Sequence, residues 1–333
     1  MRVLLWAFAL LLATTPAADA TLVFNEGSDT SRSTVWVAND DGTNPKRIAV
    51  AGLNPRISPD GVTVAYQDPA QPRLLSVPAV GGKPTVLLDP QWSPDTQAWS
   101  PDSRYLAAVT GHEIGTKRLV LIDLSTGKHR TVATGQFYGV SFSPSGGAIV
   151  YARATTDSYP PRSALWVAAV GGGRPMRITR SHPDIYPLWG PNAVVFTRQR
   201  KPPRKFDAWK QDLYLVAPDG STPRRLTFQS PSFLLAGLTP VSWSSDGTRL
   251  LAQFGGQDTA FAQTVNVKTG RVRTVGHESD LIIPARLAAD GETILAMQGG
   301  YEPGDETDVI TVPYKGGNPR VLVRHAFSPD WNR

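Results

Sequence analysis

The chain has no cysteine, and histidine is scarce, at positions 112, 129, 182, 277 and 325 only. The first absence excludes disulfide stapling, lipid attachment at a thiol and any thiolate nucleophile or ligand. The second leaves little material for a metal centre, because zinc or manganese needs three or more converging donors and no two of these histidines share a ligand spacing. The histidine–acid groupings His112-Glu113 and His182-Pro183-Asp184 both fall in expected loops. The sequence therefore implies no cofactor and no metal. Long apolar runs are also missing. The longest, Val3 to Ala13, is far short of the roughly 20 residues a membrane-spanning helix needs.

That run follows Met1-Arg2 and precedes Ala18-Asp19-Ala20, which offers small residues at −3 and −1 of a cleavage point. The pattern is that of a secretory signal over residues 1–20, cleaved after Ala20. Residues 21–333 then form a single exported domain, periplasmic or extracellular and expected to be monomeric, without a membrane span. At roughly 310 residues it is large enough to be held by its core alone. The formal charge is +6, from 34 Lys+Arg against 28 Asp+Glu. Such a sign suits an anionic partner, and export makes nucleic acid the least fitting of the choices.

What the sequence has in abundance is punctuation. A phrase of Ser, Pro, Asp and Gly recurs ahead of apolar runs: Ile57-Ser58-Pro59-Asp60-Gly61, Trp99-Ser100-Pro101-Asp102-Ser103 and Phe142-Ser143-Pro144-Ser145-Gly146. Trp189-Gly190-Pro191-Asn192 is a degraded copy, and Trp243-Ser244-Ser245-Asp246-Gly247 and Leu287-Ala288-Ala289-Asp290-Gly291 follow. Phe327-Ser328-Pro329-Asp330 reads as a seventh. Successive copies lie 42, 43, 47, 54, 44 and 40 residues apart, counted from Asp60 to Asp330. Trp92-Ser93-Pro94-Asp95 is an extra match with no strand-like run directly after it. Proline presets φ, Asp or Asn caps the turn and Gly accepts positive φ, so each phrase joins two strands.

A second, Gly-bearing turn alternates with the first, as in Asp40-Asp41-Gly42-Thr43, Val80-Gly81-Gly82-Lys83 and Lys268-Thr269-Gly270-Arg271. Short alternating strands flank it, the pattern of a hairpin. Four strands (A to D) per 40–50 residues, seven times over, is the signature of propeller blades. The fold class is thus all-β, a seven-bladed β-propeller, with six blades the alternative. The ends support seven. Thr21-Leu22-Val23-Phe24 reads as a strand B lacking its A, and His325 to Asp330 as a strand A with its turn phrase lacking a B. Joined, they complete one blade and close the ring. Much of the basic charge falls on the D strands, at Lys46-Arg47, Arg177, Arg224-Arg225, Arg271 with Arg273, and Arg320. Charge there guards an outer edge against strand addition.

The Ser-Pro-Asp-Gly phrase before an apolar strand, with a Gly-Gly or Asp-Gly turn and an Arg-Leu-Thr ending such as Arg225-Leu226-Thr227, resembles the TolB-type (WD40-like, PD40) propeller repeat. The resemblance covers nearly all of residues 21–333. It implies a propeller of the kind found in periplasmic TolB and in prolyl oligopeptidase-like peptidases. Fold does not imply function. The additional α/β domain of TolB has no counterpart between Ala20 and the first strands, so its Tol–Pal partners do not transfer. The Gly-x-Ser-x-Gly nucleophile turn of the peptidases is missing too; Gly139-Val140-Ser141-Phe142-Ser143 lacks the last Gly and falls on an expected strand.

Function is expected in the B–C loops, whose lengths vary while the rest repeats. The blade 5 loop, Arg198 to Lys210, is rich in cations and holds Arg200, Lys201, Arg204, Lys205, Phe206 and Trp209. Tyr159 lies in the blade 4 loop. Tyr301 and Glu302 lie in the blade 7 loop, which is acidic. Cations beside aromatics suit an acidic protein surface or an anionic polysaccharide. These nine residues are the candidate binding set, with no catalytic residue among them. The reading is an exported binding module for an envelope or extracellular protein or an anionic surface polymer. Its rival is a propeller enzyme, a polysaccharide lyase or glycosidase, with its site at the channel mouth.

Overall fold

In a computed structural model of the chain, residues 21–27, 32–90, 97–111, 117–154, 162–180, 182–200, 210–228, 237–256, 259–300 and 306–333 are described. They form seven antiparallel four-stranded blades. Blade 1 takes its inner strand A from Ala326–Trp331 and strands B, C and D from Thr21–Glu26, Thr34–Asn39 and Lys46–Ala49. Blade 2 runs through Leu53–Ile57, Thr63–Gln67, Leu74–Pro78 and Thr85–Leu88, and blade 3 through Gln97–Trp99, Tyr105–Thr110, Arg118–Asp123 and His129–Thr134. Blade 4 comprises Phe137–Phe142, Ala148–Ala154, Ser163–Ala169 and Met176–Arg177; blade 5 comprises Asp184–Trp189, Val194–Arg200, Lys210–Val216 and Arg224–Arg225. Blade 6 follows with Gly237–Trp243, Arg249–Gly255, Ala260–Asn266 and Val272–Thr274, and blade 7 with Ile282–Leu287, Thr293–Gly299, Thr307–Pro313 and Arg320–Val323. A single parallel bridge, Gln211 to Gly237, links blades 5 and 6.

Burial explains why the B strands read as unbroken apolar runs. Neighbouring residues of a strand point to opposite faces, and each blade is covered on both. Leu22 packs toward blade 7 while Val23 packs toward blade 2. Leu250 joins the core shared with blade 5 and Leu251 the core shared with blade 7. The buried apolar residues divide into seven clusters, one for each contact between neighbouring blades, including blade 7 with blade 1. A closed ring of seven needs seven such interfaces.

The turn phrase works as its chemistry requires. Ser58 Oγ donates to Asp60 Oδ1 at 2.5 Å and accepts the Thr63 amide at 2.9 Å, while the Val62 amide donates to Asp60 Oδ1. Ser100, Asp102 and Tyr105 repeat this in blade 3, and Ser244, Asp246 and Arg249 in blade 6. Gly61, Gly146, Gly247 and Gly291 supply the left-handed residue of the turn, and Ser103 stands there in blade 3 at φ 59°.

One phrase is not a turn. Phe327-Ser328-Pro329-Asp330 lies within strand A of blade 1, which pairs Leu22 with Trp331 and Val23 with Asp330. The residue matching Trp99 (paired with Leu106) or Trp243 (paired with Leu250) is Trp331. Asn332 then takes the serine's place, its side chain accepting the Thr21 amide at 2.7 Å. The ring therefore closes as the two ends imply, but four residues later than the phrase suggests.

The D-strand cations have a structural task as well. Lys46 Nζ donates to the Val80 carbonyl and Arg273 to the Tyr314 carbonyl, in each case the C–D turn of the next blade. Arg130 does the same toward Val170. Outer-edge charge thus ties neighbouring blades together besides discouraging strand addition.

Candidate binding face and central channel

In each blade the end of strand B adjoins the start of strand C, and in blade 5 these described ends carry Arg198, Arg200 and Lys210. Strand B places Phe196, Arg198 and Arg200 on one side by its two-residue period. Opposite them in strand C lie Tyr214, Asp212 and Lys210. Asp184, at the start of strand A, is fully buried and accepts two hydrogen bonds from Arg198, 2.6 Å from Nε and 2.9 Å from Nη2. Burial pushes the Asp184 carboxyl above its ordinary range, against the pull of the Arg198 guanidinium. Arg198 also lies over the Phe196 and Tyr214 rings, 5.3 and 4.8 Å from their centres.

Asp212 is a second buried anchor. It holds Arg200 through Nη2 at 2.7 Å and Arg225 through Nη2 at 2.8 Å, and accepts from Thr227 Oγ1 at 3.3 Å. Arg225 in turn lies 4.2 Å from the centre of the Phe228 ring, which is 72% exposed. Arg198, Arg200 and Arg225 pair with the carboxylates Asp184 and Asp212, and Lys210 stands opposite Arg200 in register, leaving this corner positive.

Of the nine residues expected from sequence, Arg200 is described, and it is fixed to Asp212 with a third of its side chain exposed. Lys201, Arg204, Lys205, Phe206, Trp209, Tyr159, Tyr301 and Glu302 lie outside the described residues. In blade 7, Asp308 accepts from Arg324 and from the His325 amide. His182 bridges to Ser163 through the backbone, and His112-Glu113 lies outside the described residues. Among the described residues no three His, Asp or Glu side chains converge as a metal site would require.

The second concavity is the central channel, a cavity of about 1180 Å³ lined by the A strands. Its wall is uneven. Blades 7, 1 and 2 contribute Arg286, Asp330 and Arg56 at matching positions, one residue before the end of each A strand. The matching residues of blades 3 to 6 are Ala98, Ser141, Leu188 and Ser242. Asp330 is buried, with Oδ1 2.6 Å from Arg286 Nη1 and Oδ2 3.1 Å from the Ile57 amide. Sequence reading missed Asp330 because its phrase mimicked a turn. Asp184 and Asp212 were missed because each anchors cations from other strands; the alternation Arg198-x-Arg200, matched by an acid two residues into strand C, was the available signal.

No model of a known protein family matches the sequence, and no curated protein sequence does. Solved structures do match. TolB from Acinetobacter baumannii is 16% identical, with a TM-score of 0.55 over 94% of this chain and 82% of that one. The β-propeller domain of the Trilobed protease from Pyrococcus furiosus is 13% identical, with a TM-score of 0.64 over 87% of each. An oligogalacturonate lyase in complex with manganese is 16% identical, with a TM-score of 0.60 over 91% of this chain and 85% of that one. The chain has a TolB-like β-propeller fold. At these identities the likeness is one of fold, shared by binding proteins and enzymes.

Proposed function

We propose that this chain is an exported, non-enzymatic binding module that recognises an envelope protein or an anionic surface polymer through its B–C loop face. The observation that carries the reading is the blade 5 corner. There Asp184 and Asp212 fix three arginines in place, and one of them, Arg225, lies against the exposed Phe228 ring. Arginines held in advance lose little freedom on binding, and aromatic rings next to them supply apolar contact area. The adjoining segment, with Lys201, Arg204, Lys205, Phe206 and Trp209, extends the same composition. Export accords with the apolar leader, with the TolB-like fold and with the described residues, in which no helix is long and apolar enough to cross a membrane.

The enzyme reading draws on the fold shared with the lyase. A glycosidase would need paired carboxylates at the channel. Among the described residues the lining offers one, Asp330, whose two oxygens are engaged by Arg286 and Ile57, so binding is the better-supported reading. The test is crosslinking capture from a cell-envelope fraction with the secreted protein and with a Lys201→Gln/Arg204→Gln/Lys205→Gln variant. Under this reading a component captured by the first is lost from the second; equal capture would remove the loop from the site.

A further inference from the structure

The central channel is a second site, separate from the loop face: we infer that it binds a carboxylate-bearing ligand, with Arg56 receiving the carboxylate and the aromatic wall of blades 3 to 6 taking the ligand's flat face. The charge of the lining leads to this. Among the described residues Asp330 is its one acid, and Arg56 and Arg286 are its bases. Asp330 gives one oxygen to Arg286 and the other to the Ile57 amide, so the carboxylate between the two arginines is committed. Arg56 has no ion pair or side-chain hydrogen bond among the described residues. A cation left uncompensated in a concave channel focuses its field on the enclosed space and favours an anion there.

The wall of blades 3 to 6 defines the rest of the ligand. Trp99, Trp189, Trp243, Tyr138 and Tyr186 line it. Trp99 and Trp243 are fixed by hydrogen bonds from their indole nitrogens to the Arg56 and Leu188 carbonyls, both 3.3 Å. Tyr186 is 41% exposed and holds a left-handed backbone, φ 52°. That conformation belongs to the strand A bulge, which Ser328, Asn54 and Gly139 adopt at the matching positions of blades 1, 2 and 4. The ligand therefore carries a carboxylate at one end and a ring or apolar face at the other, as a sugar acid or an aromatic chain end does.

The test uses the full exported chain and four small probes: glucuronate against glucose, and N-acetylphenylalanine against its amide. Intrinsic tryptophan fluorescence and calorimetry read binding. At least one acid binds wild type while its neutral counterpart does not, and the acid that binds identifies the source of the carboxylate. Arg56→Gln lowers that affinity by about 10- to 100-fold, the worth of one charge-assisted hydrogen bond. Its thermal midpoint stays at the wild-type value, since no partner is stranded, and the Lys201→Gln/Arg204→Gln/Lys205→Gln variant binds the acid normally. Equal binding by Arg56→Gln, equal binding of acid and neutral probes, or no binding of any probe at about 10 mM overturns the inference. The loop-face reading stands or falls separately.

Discussion

Asp330 and Ile57 lie 273 positions apart in sequence and one hydrogen bond apart in space, the Asp330 carboxylate accepting the Ile57 amide at 3.1 Å. With Arg286 on its other oxygen, this side chain joins blades 7, 1 and 2 where the ring closes. Ser141 plays a related part between blades 4 and 5, accepting the Trp189 amide at 3.1 Å. Asp330→Ala strands the Ile57 amide and leaves Arg286 without its partner. Arg286 retains water contact, which limits the loss to about 2–3 kcal/mol. Asp330→Asn keeps an acceptor for Ile57 and costs about 1 kcal/mol. Denaturant unfolding of the two variants checks the order; a larger loss for Asn than for Ala would contradict it.

Two carboxylates give opposite pH signatures. Asp184, raised by burial, takes up a proton more readily folded than unfolded. Its favourable contribution is complete below the ordinary value of 3.8 and fades as pH rises through the raised value. Asp246 is lowered to about 2, first by the Ser244 hydroxyl and then by the amide and hydroxyl of Thr248. Its contribution is present above 3.8 and disappears as pH falls toward 2. Unfolding free energies of wild type minus Asp184→Asn should therefore fall with rising pH from about 4 upward. Those of wild type minus Asp246→Asn should rise between about 2 and 4 and then level off.

Restoring the blade 5 turn phrase to its consensus should do harm. Gly190 stands where Ser58, Ser100, Ser143 and Ser244 stand in other blades. A Cβ at Gly190 would lie 2.5 Å from the Trp243 indole, closer than packed atoms come. Gly190→Ser is expected to cost about 1–3 kcal/mol by overpacking, despite offering the missing turn hydroxyl. Thermal and denaturant midpoints at or above wild type would show that the indole has room to move.

The cations of the blade 5 loop should separate into two kinds. Arg200 is part of the Asp212 anchor, so Arg200→Gln should lower both stability and binding, the stability loss being about 1 kcal/mol while Arg225 still compensates Asp212. Lys201→Gln/Arg204→Gln/Lys205→Gln should leave the melting midpoint unchanged and reduce binding alone. Parallel melting and binding curves on the two variants decide; equal destabilisation would remove the distinction.

The blades were legible because their turns repeat a chemistry that few residues supply: Pro for φ, Asp or Ser for the cap and Gly for the left-handed position. The same economy misleads at Ser328-Pro329-Asp330, where those residue types occur inside a strand and the register, set by Trp331 against Leu22, shows the difference. Charge on the outer edges was legible too, though its reach to the next blade's carbonyls is a matter of geometry. Of the proposed binding corner, only Arg200 and its loop stood out in the sequence. Asp184, Asp212, Arg225 and Phe228 are scattered over 45 positions, and nothing in their local sequence announces that three strands and the segment after the last bring them together.

The central claim is that the blade 5 corner binds an anionic partner. The direct test is the affinity of the purified protein for a cell-envelope fraction, measured from about 50 to 300 mM salt, for wild type and for Lys201→Gln/Arg204→Gln/Lys205→Gln. The account predicts that wild-type affinity falls steeply with salt and that the variant binds more weakly with a flatter dependence. Identical affinities and slopes for the two proteins would contradict it.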